Sequence, residues 1–193
     1  MFTEIVIDTN ILEHASNASP SNKHYYGAYT LLRKIIDENR KEGIKIKIGV
    51  DRKWDFRDPF NPEKNESMLV QEYCIRFKNK NLFGWIFLME MFASEWVKKC
   101  PKFPVCGKKG TLDHVKKKTI KRLIHGEDPT DCIFVGVACS CDSQTLISND
   151  QEHFPKNSRS NFKDELVVYI LFPEEKLIID NKFFSKETCS IGQ

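Results

Sequence analysis

The longest apolar stretch of this 193-residue chain, Leu82 to Val97, is interrupted by Glu90 and Glu95 and is too short to span a bilayer. Glycine is scarce and scattered: nine residues, none opening a strand-to-helix turn, which excludes the phosphate loops of Walker and dinucleotide-binding folds. None of His14, His24, His114 or His125 pairs with a cysteine or serine nucleophile. His153 could ligate a metal or contact phosphate, but beside the aromatic Phe154 packing is the commoner role and it is left out of the site. Seven cysteines is an odd number with no small-domain disulfide spacing. The opening Met1-Phe2-Thr3-Glu4 lacks a basic leader segment. The expectation is therefore a cytoplasmic protein with reduced thiols and no membrane partner. Cys100, Cys106 and His114 invite a zinc reading, but five residues separate the two cysteines and no fourth ligand has zinc-site spacing.

What is present is ordinary globular material, 40% hydrophobic and 30% charged, in a length that suits a single domain over 1–193. A chain this size buries about 70% of its unfolded surface, enough for one core without staples. The net charge of +3 hides a segregation. Residues 98–122 hold ten Lys/Arg, among them Lys108, Lys109, Lys116, Lys117, Lys118, Lys121 and Arg122, against the single acid Asp113. The rest of the chain is net acidic, so this window reads as a polyanion contact set against the plainer alternative of a solvated lysine-rich helix face.

Periodicity predicts a buried strand over 3–8 that ends on Asp8, and a helix through Tyr25, Tyr29, Leu32, Ile35 and Ile36 closed by Gly43. A second strand follows over 44–50, with Asp51 after it. Residues 52–65, with Pro59 and Pro62, read as an irregular insertion. Helices are expected near 66–78 and 84–98, then a lysine-rich loop with a short helix near 112–124. Asp128-Pro129-Thr130-Asp131 opens another helix, Gln144 to Ser148 forms a third strand, Leu166 to Leu171 a fourth, and Pro173-Glu174-Glu175 a last turn. Strands alternating with helices imply a three-layer α/β/α sandwich with a central, mainly parallel sheet. Such folds work at the carboxyl ends of their strands, where Asp8 and Asp150 stand.

Three segments together resemble the PIN-domain nucleases. Ile5-Val6-Ile7-Asp8-Thr9-Asn10 is similar to the opening strand of that family, Asp131-Cys132-Ile133-Phe134-Val135-Gly136-Val137-Ala138 to its third acidic motif, and Leu146-Ile147-Ser148-Asn149-Asp150 to its fourth. On this resemblance, 52–65 and 98–125 are elaborations. The family's middle acid maps to Glu72 in Val70-Gln71-Glu72-Tyr73, with Asp51 as the substitute. The resemblance implies a metal-dependent endoribonuclease of the bacterial PIN-like branch, a branch that includes toxins of toxin–antitoxin pairs. RNA is then the expected nucleic acid rather than DNA, and a homodimer or an inhibitory protein partner has a place in the scheme.

The residue chemistry agrees independently. Converging carboxylates repel one another unless a cation is present, and oxygen ligands suit Mg²⁺ or Mn²⁺. Asp8, Glu72, Asp131 and Asp150 are the expected metal and catalytic residues, with Thr9, Asn10, Ser148 and Asn149 as side chains that hold them. Two rivals stay open. One is a catalytically silent binding module, which turns on Glu72. The other, a phosphatase-like domain, needs a second Asp near Asp8 or a Lys after a late strand, and shows neither.

Overall fold

Ile5, Val6 and Ile7 are fully buried, as a strand must be when helices cover both faces of its sheet. They lie in β1 (Phe2–Ile7), which pairs in parallel with β2 (Lys45–Asp51) on one side and β4 (Thr145–Ile147) on the other. Beyond β2 lies β3 (Val97–Cys100), and beyond β4 lies β5 (Tyr169–Leu171), again parallel. The all-parallel order is β3-β2-β1-β4-β5. This computed structural model describes residues 2–43, 45–51, 58, 61, 63–64, 66–77, 82–100, 112–124 and 129–173.

The helices are α1 (Thr9–Ser16), α2 (Lys23–Arg40), α3 (Met68–Arg76), α4 (Phe83–Ala93), α5 (Leu112–Leu123), α6 (Pro129–Ala138) and α7 (Arg159–Leu166). Right-handed crossovers put α1, α2 and α4 on one face, where they pack together. They put α5, α6 and α7 on the other, with α6 across β1, β2 and β4. The three-layer α/β/α class is the observed one. Helix α3 touches both α1 and α6, so it lies along the carboxyl edge of the sheet between the layers. Gly49 in β2 lets the α6–β4 turn settle on the sheet: a Cβ there would lie 2.4 Å from the Cys141 sulfur.

Several expectations need correcting. The helix expected over 84–98 ends at Ala93, and Val97–Cys100 is the edge strand β3. Two of its four residues are exposed lysines, a pattern that hides a strand from hydrophobic alternation and protects a sheet edge from pairing with another chain. Residues 98–100 belong to β3, and α5 packs in the layer with α6 and α7. Leu166 ends α7 rather than starting the last strand. Helix α2 stops at Arg40, and Gly43, at φ +121°, takes the left-handed turn three residues later. Glu174 and Glu175 of the turn expected after Pro173, and most of 52–65, lie outside the described residues.

Candidate functional site at the carboxyl edge of the sheet

Strand order reverses between β1 and β4, and a parallel sheet opens a crevice at such a switch point. The cleft there is about 200 Å³ and is lined by Asp8, Glu13, Glu72, Asp131 and Asp150, together with Arg76, His153, Thr9, Asn10 and Phe134. Five carboxylates therefore share one small space with two basic side chains. All four acids expected from the sequence line it.

Asp8 follows β1 directly and is 4% exposed. It stands at the N-cap of α1, yet its side chain makes no capping bond. Its Oδ2 instead accepts hydrogen bonds from the Ser148 hydroxyl at 2.6 Å and from Asn10 Nδ2 at 2.9 Å. Burial pushes its pKa up to about 6, with the Ser148 bond opposing the rise. Asn10 Nδ2 also reaches Ser148 Oγ at 3.2 Å, and Asn10 Oδ1 accepts from the Asn149 amide at 3.0 Å. This lattice ties β1 to β4 across the switch point.

Two of the expected supporting residues act otherwise. Thr9 Oγ1 is buried and makes no hydrogen bond among the described residues. The Asn149 side chain turns away from the carboxylates, its Nδ2 donating to His14 Nδ1 at 2.9 Å. His14 stacks on Tyr25 with ring centroids 4.3 Å apart, and burial lowers its basicity.

Asp51 and Glu72, left as alternatives by the sequence, have different work. Asp51 is fully buried, with Oδ1 accepting from Ser67 Oγ at 2.8 Å and Leu69 N at 3.0 Å, and Oδ2 from Met68 N at 3.0 Å. It anchors the start of α3, where a helix's free N–H groups and dipole favour an anion. Tyr73 anchors the same helix by donating its hydroxyl to the Ile7 carbonyl, one residue before Asp8. The two tethers deliver Glu72 to the cleft, where it pairs with Arg76 Nε at 2.9 Å.

Asp131 enters from the first turn of α6 and is 8% exposed. Asp150 sits in the turn after β4, its Oδ1 accepting from the amides of Glu152 and His153, both at 2.9 Å. That turn folds His153 back over the acids. Its Nδ1 lies 2.8 Å from Asp150 Oδ2 and 2.9 Å from Asp131 Oδ2, and between two carboxylate oxygens it serves as the donor. Burial alone would lower the imidazole, but the Asp150 bond and the charges of Asp131, Asp150 and Glu152 outweigh that and raise it.

Sequence reasoning raises His153 as a metal or phosphate contact and sets it aside because an aromatic neighbour suggests packing. The usable signal is its position three residues after Asp150, the span of a side-chain-closed turn. The ligand atoms of Asp131, Asp150 and His153 all lie within 4.8 Å of one another, a tight group that Asp8 and Glu72 border without joining. Arg76 and Glu13 are missed, since nothing local marks them.

The basic segment stands apart. Lys116, Lys117, Lys118, Lys121 and Arg122 lie on α5, and none lines the cleft. Lys116 is close enough to Cys139 for its charge to act on that thiol, at the opposite end of α6 from Asp131. Arg122 pairs with Glu165 of α7. Lys108 and Lys109 lie outside the described residues, as do Cys106 and the His114 side chain of the zinc reading. Cys100 is buried against Cys141, sulfur to sulfur at 3.3 Å. Among the described residues no helix is long and apolar enough to cross a membrane. No family model, curated protein or solved structure matches this chain.

Proposed function

We propose that the protein is a metal-dependent phosphodiester hydrolase of PIN type, acting as an endoribonuclease. The observation that carries this reading is the convergence of Asp8, Glu72, Asp131 and Asp150 on one cleft at the switch point. The donor set fits a hard dication. It is rich in carboxylate oxygen, and it includes a buried Thr9 hydroxyl without a hydrogen-bond partner among the described residues. Asp8, Asp131, Asp150 and Glu72 are the residues that would hold Mg²⁺ or Mn²⁺, which when bound supplies an activated water and screens charge on a phosphoryl group.

The chain's own residues do the rest. Ser148 and Asn10 fix the Asp8 carboxylate through neutral donors, and among the described residues no cation pairs with it. Arg76 brings a guanidinium to the cleft, suited to a backbone phosphate. The α5 lysines offer sequence-independent attraction for the strand outside it.

The Glu72–Arg76 ion pair favours a second reading, in which the cleft binds nucleic acid without cutting it. One experiment separates the two. Labelled single-stranded RNA, duplex RNA and DNA are incubated with the protein and Mg²⁺ or Mn²⁺, with Asp8→Asn as control. Metal-dependent RNA cleavage that the variant lacks is the expected result. Binding without turnover supports the silent module, and neither binding nor turnover removes the nucleic-acid reading.

A further inference from the structure

The tightest group in the cleft is not the one a hard-cation site needs. A magnesium site is met by carboxylates and water alone. Here a ring nitrogen is inserted between two carboxylates, at 2.8 Å from Asp150 Oδ2 and 2.9 Å from Asp131 Oδ2. An octahedral ion with bonds of about 2.1 Å sets its neighbouring ligands about 3.0 Å apart, whereas a tetrahedral zinc with bonds of about 2.05 Å needs about 3.3 Å. The two nitrogen–oxygen edges already have the octahedral spacing, and all three ligand atoms lie within 4.8 Å of one another, so one ion in place of the ring proton is within reach of the three side chains.

A second, independent observation points to a ligand in the same space. Thr9 lines the cleft and is 6% exposed, and its Oγ1 is left without a hydrogen-bond partner among the described residues. A buried hydroxyl in that state costs free energy that a bound ion's water can recover.

We propose that Asp131, Asp150 and His153 together hold a transition-metal ion, and that His153 selects Mn²⁺ over Mg²⁺ there. This rests on the reading of the cleft as a metal site, though not on nuclease activity. The physical cause is ligand softness. Imidazole nitrogen binds first-row transition ions well and magnesium poorly, so one nitrogen among oxygens separates two dications of equal charge. The backbone supports the role: Asp150 Oδ1 is occupied by the Glu152 and His153 amides, leaving Oδ2 and Nδ1 directed together.

The test uses the full chain with Mn²⁺ or Mg²⁺ as the probe. Pulsed electron paramagnetic resonance of bound Mn²⁺ in the wild type should show coupling to a histidine nitrogen. In His153→Gln that coupling should vanish, with Mn²⁺ affinity falling about tenfold and Mg²⁺ affinity, measured by calorimetry, staying within about twofold. Asp131→Asn should weaken both ions. Bound Mn²⁺ without nitrogen coupling in the wild type overturns the role of His153 while leaving the metal site standing, and this measurement needs no variant to fold. An unchanged Mn²⁺ to Mg²⁺ preference in a folded His153→Gln overturns it equally. Failure of the wild type to bind either ion removes the metal reading of the cleft altogether, and the proposed hydrolase with it.

Discussion

Glu4 and Asp8 are both 4% exposed and stand near opposite ends of the same strand, yet the protein treats the two carboxylates differently. At the amino end, Glu4 is closed off. Lys98 Nζ reaches its Oε1 at 2.8 Å and the Asp142 amide its Oε2 at 3.1 Å, so a cation and a turn complete it. At the carboxyl end, the donors to Asp8 among the described residues are neutral, Ser148 and Asn10 foremost, with Asp150 adding repulsion. Asp51, on the neighbouring strand, is also closed, by three donors at the start of α3. A buried acid that has been given its partners is architecture. One left with neutral donors, beside other acids, has room for a charge brought from outside.

Exchanging the charges tests that contrast most strongly. Asp8→Asn and Asp150→Asn should each lower metal-dependent cleavage by at least about a hundredfold, while the fold persists, because ligand charge is lost with almost no change in volume. Glu4→Gln, at the other end of the strand, should leave turnover per folded molecule unchanged. Cleavage assays beside circular dichroism decide the matter, and equal activity loss at both ends would erase the distinction.

The pH dependence of stability gives the next effect. With its pKa raised from 3.8 to about 6, Asp8 holds its proton more tightly in the folded state than in the unfolded chain. Its contribution is then fully favourable below about pH 4 and is lost as pH rises through 6. Without metal, that loss amounts to about 3 kcal/mol at pH 7. Denaturant melts at pH 4 and pH 7 should show Asp8→Asn gaining relative to wild type at the higher pH. Added Mn²⁺ should shrink the gap by stabilising only the wild type. A pH-independent difference between the two proteins would contradict the reading of Asp8 as an uncompensated carboxylate.

The closed acids should behave in the opposite sense. Asp51→Ala strands the Ser67 hydroxyl and two amides at the head of α3, and should cost about 1–3 kcal/mol at neutral pH with or without metal. Chemical denaturation of the variant measures it. A loss that metal restores would place Asp51 in the cleft after all.

The same contrast divides what local sequence makes legible from what only the fold decides. Asp8 is legible because an apolar strand ends on it, and Asp131 and Asp150 because a helix start and a strand end are local signals. The choice between Asp51 and Glu72 is not, since both follow β2 and only the fold shows whose oxygens are consumed. Edge strand β3 escapes because Lys98 and Lys99 face solvent, leaving just Val97 and Cys100 to mark it. Helix α7 escapes for a similar reason: in eight residues it buries only Phe162 and Leu166. His153 escapes because its role is set by a turn closed through the Asp150 side chain, a relation in space that pairwise spacing barely records.

The smallest expected effect concerns charge outside the cleft. Lys116, Lys117 and Lys118 share α5, but none lines the cleft, and Lys116 lies near the far end of α6. If they attract a nucleic-acid strand, they do so through phosphates distant from the bond being cut. Changing all three to Ala should weaken binding modestly and alike across sequences, since phosphate contacts carry affinity and little base information. The slope of log affinity against log salt should fall by up to about 0.7 for each single-strand phosphate that is no longer neutralised. Turnover at saturating RNA should hold, in contrast to the collapse expected of Asp8→Asn. Binding titrations at several salt concentrations resolve the slope. An unchanged slope would make α5 a solvated helix face and leave Arg76 to meet phosphate from within the cleft. A turnover loss matching that of the acids would mean that the two regions, separated here by the length of α6, act on the same phosphate.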